Sequence, residues 1–423
     1  MPNNLIKNFD DLATTSERRL ALQIVEAGLA AVNTAAVIAD NLSLENHILK
    51  IKADVFDLRN FKKIYVIGFG KAACDATLAI NRILKDKITA GIAVDIKTAS
   101  CENSNIKIYQ GSHPKPSAEN LAATKRILDI AKQATAGDLV ICIVSGGGSA
   151  LLCNSVEECN LSNLIFDQFL KSGGSINELN ILRKHLPSLK GGRLAQIFQN
   201  STMINLIFSD IPGGQIEDVA SGPTFLDRST LSDVKAIIDK YHLQQLANLP
   251  FTETPKDEKI FARLHNILLV SNHQALQAMS DKAIALNLKP KIISANLSVH
   301  SSQAAEIMTG GLETDEVRLS GGEVRIVSKN NSFGKGGRNT QTVLETVPLL
   351  STGEVFVSIA SDGIDNSDAA GAIADGRTKT EGEDYRQHLE ALNSYPYFEK
   401  LNDLIFTGPT GSNVADLAIS LKL

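Results

Sequence analysis

At 423 residues, and at roughly 100–200 residues per domain, the chain is long enough for two or three domains with substantial cores, which excludes a stapled mini-protein. A hydrophobic fraction of 43% beside 21% charged residues lies near globular averages, and no biased tract occurs, so wholesale disorder is excluded as well. The 42 Lys plus Arg against 47 Asp plus Glu leave a net charge of −5, which argues against a nucleic-acid partner, and no apolar run approaches the ~20 residues that span a bilayer, which argues against a membrane one.

The opening residues MPNNLIKNFDD lack a charged start followed by an apolar stretch, so a cytoplasmic protein is expected. Thr14 and Glu17 have capping-box spacing, and Leu20, Ile24, Ala27, Ala31, Ala35 and Ile38 recur on one face of a helix. From Lys63 the pattern changes to short apolar runs separated by helical stretches: KIYVIG, GIAVDI, NIKIYQ, DLVICIVS and MINLIFS. Such alternation predicts helices covering a mainly parallel sheet. FTETPKDEK, at Phe251–Lys259, is polar and holds Pro255, and reads as a linker. Strand-like runs resume beyond it as NILLVS, KIISAN, VRLSGGEVRIVS, EVFVSIAS and DLIFTG. The expected fold class is therefore α/β, with a Rossmann-like N-terminal domain over 1–250, a second α/β domain over 260–423 and the active site in a cleft between them. The five cysteines, Cys74, Cys101, Cys142, Cys153 and Cys159, form no C-x-x-C pair, and a reducing compartment is expected.

Glycines gather just after the predicted strands, where an open α/β sheet carries its ligand crevice and where backbone N–H groups can approach an anion. Each loop alone also reads as an ordinary turn. As a set they hold Lys71, Ser145, Ser149, Asp210, Arg338, Asp362, Asp365 and Thr410, which favours a phosphorylated ligand. Gly68-Phe69-Gly70-Lys71-Ala72-Ala73 has the outline of a dinucleotide loop, with Asp95 as a ribose partner, yet Lys71 at the helix start suits phosphoryl transfer. Ser145-Gly146-Gly147-Gly148-Ser149 can nest a triphosphate. Ser175 and Glu178 cap a helix whose polar face shows Asn180, Arg183 and Lys184 and continues into Lys190-Gly191-Gly192-Arg193, a run of cations suited to an anionic substrate. Arg338, at a predicted helix start, can grip a carboxylate or phosphate through two N–H groups. Asp362, Asp365 and Asp368 suit Mg²⁺ or a base for a substrate hydroxyl, with an Asx-rich turn as the plain alternative. His113 stands in a loop after a strand, as a structural hydrogen-bonder or a substrate contact.

Together these segments resemble the class II glycerate kinases with a C-terminal MOFRL domain. The resemblance rests on VIGFGKAA at Val66–Ala73, GSHPKPSAEN at Gly111–Asn120, VSGGGSALL at Val144–Leu152, SINELNILRKHLPSLKGGRLA at Ser175–Ala195, SDIPGG and ASGPT within Ser209–Thr224, LSGGEVRI and GKGGRNTQ within Leu319–Gln341, ASDGIDNSDAAGAIAD at Ala360–Asp375 and TGPTGSNVADL at Thr407–Leu417. It implies ATP-dependent, Mg²⁺-requiring phosphorylation of D-glycerate, usually at the 2-hydroxyl. It also implies that Lys71, Arg338 and Asp362 or Asp365 are catalytic-motif residues. Gly214 stands where the family commonly carries an acid, so Asp210 or Asp218 must substitute for it or substrate preference has shifted.

In the mechanism expected from these residues, Lys71, Arg338 and Asp365 are catalytic, and Ser145, Gly146, Gly147, Gly148, Ser149 and Gly70 hold ATP. Asn180, Arg183, Lys190 and His113 contact D-glycerate, and Asp362 and Asp365 hold Mg²⁺. The competing readings are an NAD(P)-dependent hydroxypyruvate reductase, resting on Gly68–Ala73 and Asp95, and a non-catalytic nucleotide sensor. The oligomeric state, a homodimer included, is not legible.

Overall fold

The apolar runs pair into two six-stranded sheets in a computed structural model that describes residues 4–170, 172–213, 215–327, 334–381 and 384–423. The chain divides into two compact units. One takes in Val37–Ile211 and Gln215–Leu269; the other takes in the described residues up to Ala36, then Pro212, Gly213 and the described residues from Val270 onward.

The first of these units opens with an antiparallel meander of β1 (Leu42–Glu45), β2 (Ile48–Ile51) and β3 (Asp54–Asp57). Its main sheet contains β4 (Ile64–Phe69), β5 (Ala90–Asp95), β6 (Ile106–Gln110), β7 (Leu139–Ser145), β8 (Thr202–Phe208) and β9 (Leu264–Val270), in the order β6-β5-β4-β7-β8-β9. All pairings from β6 through β8 are parallel. β4 and β7 are buried at every position, which is why they read as unbroken apolar runs. After β4 the chain winds outward through β5 and β6, then returns to place β7 on the other flank of β4, so the strand order reverses between β4 and β7. The crevice at the carboxyl ends of two such strands is the usual ligand position of an open α/β sheet. Tyr65, Phe69, Val140, Leu194, Phe198 and Met203 share one core, and Ile165, Phe169, Leu179, Leu182, Val234 and Ile237 form a second beneath the helices.

The other unit is built on β10 (Lys289–Ser294), β11 (Glu316–Gly322), β12 (Glu354–Ala360), β13 (Gly371–Asp375), β14 (Leu404–Ile405) and β15 (Asp416–Lys422), ordered β10-β11-β15-β12-β13-β14. Only β10 and β11 run parallel; the remaining pairings are antiparallel. The last strand of the chain thus lies in the middle of the sheet. Phe356, Tyr397, Phe398, Val343 and Met308 lie in the core beside it.

Several expectations need correction. The N-terminal helix is Ser16–Ala31 and its cap is Thr15, which accepts from the Arg18 N–H, not Thr14. Arg18, 2% exposed, carries that helix into the unit of the second sheet by donating to Asp375 at 2.6 Å and to Asp403 at 2.5 and 3.0 Å. The opening residues therefore do not group with 37–250, as one cut near Phe251 implied. Phe251–Lys259 is no linker between the units, because Thr254 donates to Asp227 at 3.1 Å and Lys256 to the Asp227 carbonyl at 2.8 Å, within one unit. The run NILLVS belongs to β9, at the edge of the first sheet. Cys153 and Cys159, six residues apart with Cα atoms at 6.1 Å, are joined in a disulfide, a pairing that the sequence reading did not anticipate.

Candidate active site

The two glycine loops lie side by side because Phe69 and Val144 are register partners at the ends of β4 and β7. Gly70 has φ +114°, and a Cβ there would sit 2.2 Å from Ser145 Oγ and 2.4 Å from the Ser145 carbonyl oxygen, so only glycine lets the loops close on each other. Ser145 Oγ accepts from the Ala72 N–H at 3.1 Å, and the Lys71 N–H donates to the Gly146 carbonyl at 2.9 Å. Ser145, buried, is therefore the pin between the loops and not a free phosphate contact. Behind Gly146 lies Asp210, whose Oδ2 would be 1.9 Å from an added Cβ. In front, Gly147 is flanked by His113 Cδ2 and Lys71 Cγ, at 3.2 and 3.3 Å from its would-be Cβ. Ser149 Oγ lies 2.8 Å from Ser221 Oγ, which donates to Asn180 Oδ1 at 3.1 Å, linking the loop to the polar helix Ile176–Lys184.

The structure sorts the run of cations. Lys184 is paired with Asp218 at 2.6 Å and Asp227 at 3.5 Å. Lys190 is paired with Glu158 at 2.5 Å, both side chains almost wholly buried, and also donates to the Leu152 carbonyl. Arg193 spends its N–H groups on the carbonyls of Lys184, Thr252 and Glu253. Lys190, expected as a substrate contact, is thus a structural ion pair, and Asp218, offered as a substitute for an acid at Gly214, is committed to Lys184; Gly214 itself lies outside the described residues.

Arg183 is different. Its Nε is buried without a hydrogen bond, no carboxylate pairs with it among the described residues, and its guanidinium lies 5.3 Å from the Phe166 ring centroid. Burial brings its pKa down to about 10. His113 is pushed down to about 4, by desolvation first and then by the charges of Lys71 and Arg183, so it is neutral at pH 7. Lys71 and His113 therefore flank Gly147, and Arg183 acts electrostatically on His113. A half-buried cation that no carboxylate pairs with among the described residues is an arrangement that an anion completes.

In the second sheet's unit, Arg338 begins the helix Arg338–Thr346. It donates through Nε and Nη2 to Asp416, the Nη2 contact being 3.1 Å, and from Nη2 to Glu323 at 2.9 Å. Asn339 Nδ2 donates to both Asp416 at 2.9 Å and Asp365 at 3.2 Å, while Ser358 Oγ donates to Asn339 Oδ1 at 2.6 Å. Burial raises Asp416 to about 7 against the pull of Arg338 and Asn339. Asp365 accepts from the Asn339 and Thr340 N–H groups at 3.0 and 2.8 Å and from the Thr340 hydroxyl at 3.0 Å. It anchors the helix start and has no lone pair left for a metal or a proton in transfer. Asp362 accepts from the Ile364 N–H at 3.1 Å in an Asx turn, and Asp368 accepts from the Tyr395 hydroxyl at 2.9 Å. The loop with Thr410 lies against this segment, since Thr410 N–H donates to the Asp362 carbonyl at 3.2 Å.

Asp365 does not fit Mg²⁺. Among the described residues no three His, Cys, Asp or Glu side chains converge as metal ligands, and Asp365 is saturated by protein donors. The dinucleotide reading also loses its second half: Asp95 is wholly buried and accepts from the Cys74 N–H at 2.9 Å and the Ile96 N–H at 2.6 Å, so it caps a helix and offers nothing to a ribose. Ser221 and Asp416 were missed as site residues. Ala220 and Ser221 both have positive φ, +54° and +60°, a strain no sequence pattern announces, and Asp416 hides in a segment that reads as loop until β15 is seen.

Comparison with known proteins shows the family. A family model described as a domain of unknown function, DUF4147, matches residues 20–250, and the MOFRL family model matches 316–416. Glycerate 2-kinase of Pyrococcus horikoshii is 33% identical, covering 95% of this chain and 98% of its own. A putative hydroxypyruvate reductase of Agrobacterium vitis is 31% identical, covering 95% of this chain and 94% of its own. The crystal structure of glycerate kinase from Thermotoga maritima superposes with a TM-score of 0.80 at 28% identity, covering 96% of this chain and 99% of the other. With the α/β units, the paired glycine loops and both family matches in hand, the chain is a member of the glycerate kinase family with a MOFRL domain.

Proposed function

We propose that this enzyme transfers the γ-phosphoryl group of ATP to the 2-hydroxyl of D-glycerate, giving 2-phosphoglycerate and ADP. The observation that carries the reading is Arg183, a half-buried guanidinium whose Nε has no hydrogen bond among the described residues and whose charge acts on a neutral His113, which with Lys71 flanks Gly147. Phosphoryl transfer depends on positioning and on offsetting negative charge at the transferring oxygens, and a preorganised pair of cations supplies that offset without reorganising. In this reading the Gly146–Gly148 loop approaches the phosphates with its backbone, Lys71 and Arg183 offset their charge, and His113 offers a neutral imidazole to the same anion. Ser149, Ser221 and Asn180 form the hydroxyl-and-amide edge against which the acid's hydroxyls are oriented. Within the other unit, Arg338 is read as a carboxylate clamp, through the guanidinium edge that Asp416 leaves open. Asp365 shapes the helix that presents Arg338 and takes no proton. Of the two aspartates expected to hold Mg²⁺, Asp365 is saturated by protein donors, so Asp362 would be the one to hold it, and the ion would offset phosphate charge.

Relatives named glycerate 2-kinase at about 30% identity support the product, while the reductase alternative keeps the name of the Agrobacterium vitis relative and the Gly68–Ala73 outline but loses Asp95 as a ribose partner. The deciding experiment follows ADP release with D-glycerate, ATP and Mg²⁺, runs NADH plus hydroxypyruvate in parallel, and reads the product by phosphorus NMR. Glycerate-dependent ADP with phosphate on the 2-position is the expected result. NADH consumption without ADP release overturns the proposal.

A further inference from the structure

A guanidinium offers two edges on which a pair of parallel N–H groups can meet a carboxylate. In Arg338 the Nε/Nη2 edge is taken by Asp416, whose side chain is 8% exposed and is held from behind by Asn339. Nη1 donates no hydrogen bond among the described residues. The other contact to Nη2 is Glu323 at 2.9 Å, through one oxygen, from a side chain that is 52% exposed. One carboxylate is thus a buried two-point anchor, and the other a solvated single-point occupant. A ligand carboxylate approaching the Nη1/Nη2 edge finds Glu323 already on half of it.

We propose that Glu323 is a displaceable internal ligand of Arg338, standing in the unliganded protein where the carboxylate of a small hydroxy acid binds and thereby setting that acid's affinity. The proposal rests on the reading of Arg338 as the carboxylate clamp and adds the residue that competes with the substrate for it. Asp416 cannot play this part, because displacing it would leave a buried carboxylate without its counter-charge. Glu323 swings into water at little cost. An exposed ion pair of this kind is worth about a two- to fivefold change in an equilibrium.

The test uses the full-length protein, with Kd for D-glycerate from calorimetry and KM from the kinase assay, in wild type, Glu323→Gln and Glu323→Asp. Aspartate keeps the charge but is one methylene shorter, so it loses the contact. Both variants are expected to bind D-glycerate about two- to fivefold more tightly. An unchanged or weaker affinity in Glu323→Gln overturns the proposal. Tightening in Glu323→Gln alone, with Glu323→Asp like wild type, also overturns it, because charge and not occupancy is then responsible. Arg338→Gln separates the two levels of inference. If it leaves glycerate affinity unchanged, the clamp reading itself fails; if it abolishes binding while the Glu323 variants do not tighten, only the competing role falls.

Discussion

Replacing Arg183 by Met should make the protein slightly more stable and far less active. Keeping a guanidinium charged where burial brings its pKa down to about 10 costs about 3 kcal/mol relative to water, and water reaching its partly exposed tip reduces this to about 2 kcal/mol. Against that stands the loss of the stacking contact with Phe166, 5.3 Å away, worth about 0.5–1 kcal/mol. Methionine retains most of the aliphatic packing, so the balance is a gain of about 1 kcal/mol. In urea, with a slope of about 3 kcal/mol/M, the unfolding midpoint of that unit should rise by about 0.3 M. The same substitution removes a charge aimed at the transferring group, a loss of about 100- to 1,000-fold in kcat/KM. The two signs together are the signature of a cation placed for a ligand and not for the fold. A midpoint that falls, with kcat/KM held within about threefold of wild type, would refute the reasoning and make Arg183 a packing residue.

Lys190 should behave in the opposite way. Lys190→Met strands the buried Glu158 carboxylate and should cost about 3–5 kcal/mol of stability, seen by chemical unfolding, while the folded fraction keeps its KM for D-glycerate. Gly146→Ala drives a Cβ to within 1.9 Å of Asp210 Oδ2, so the loop must shift; kcat should fall about 100-fold with a circular-dichroism spectrum like that of wild type. For Asp416, folding raises the carboxyl to about 7 from 3.8, so its ionisation weakens the fold: its stabilising contribution is full below pH 4 and is lost as pH rises towards 7. Ionised Asp416 also fixes Arg338, so kcat/KM should rise through an inflection near pH 7, and Asp416→Asn should remove that inflection in a pH–rate profile.

The location of the candidate site was legible because strand ends followed by glycine are local facts. KIYVIGFG and VICIVSGGGS each announce a buried strand that stops at a loop able to admit an anion, and both loops are where the sheet reverses its order. The helix carrying Asn180 and Arg183 was equally plain from its capping box, which the structure retains between Ser175 and Glu178. Which cation of that helix and its extension remains for a ligand was not legible. Arg183, Lys184, Lys190 and Arg193 look alike in a line of text, and only distant acceptors tell them apart: Asp218 and Asp227 for one, Glu158 for another, the Thr252 and Glu253 carbonyls for the last.

Hydrophobic period, capping and turn chemistry act over a few residues, so the amino-acid order alone determined the α/β class, the glycine loops and the motifs that mark the family. Electrostatic partnership acts through space between residues tens to hundreds of positions apart. It took the tertiary structure to send Arg18 to Asp375 and Asp403, to put the chain's last strand in the middle of a sheet with Asp416 at its start, to close Asp95 and Asp365 on helix N–H groups, and to leave Arg183 Nε without a hydrogen bond among the described residues.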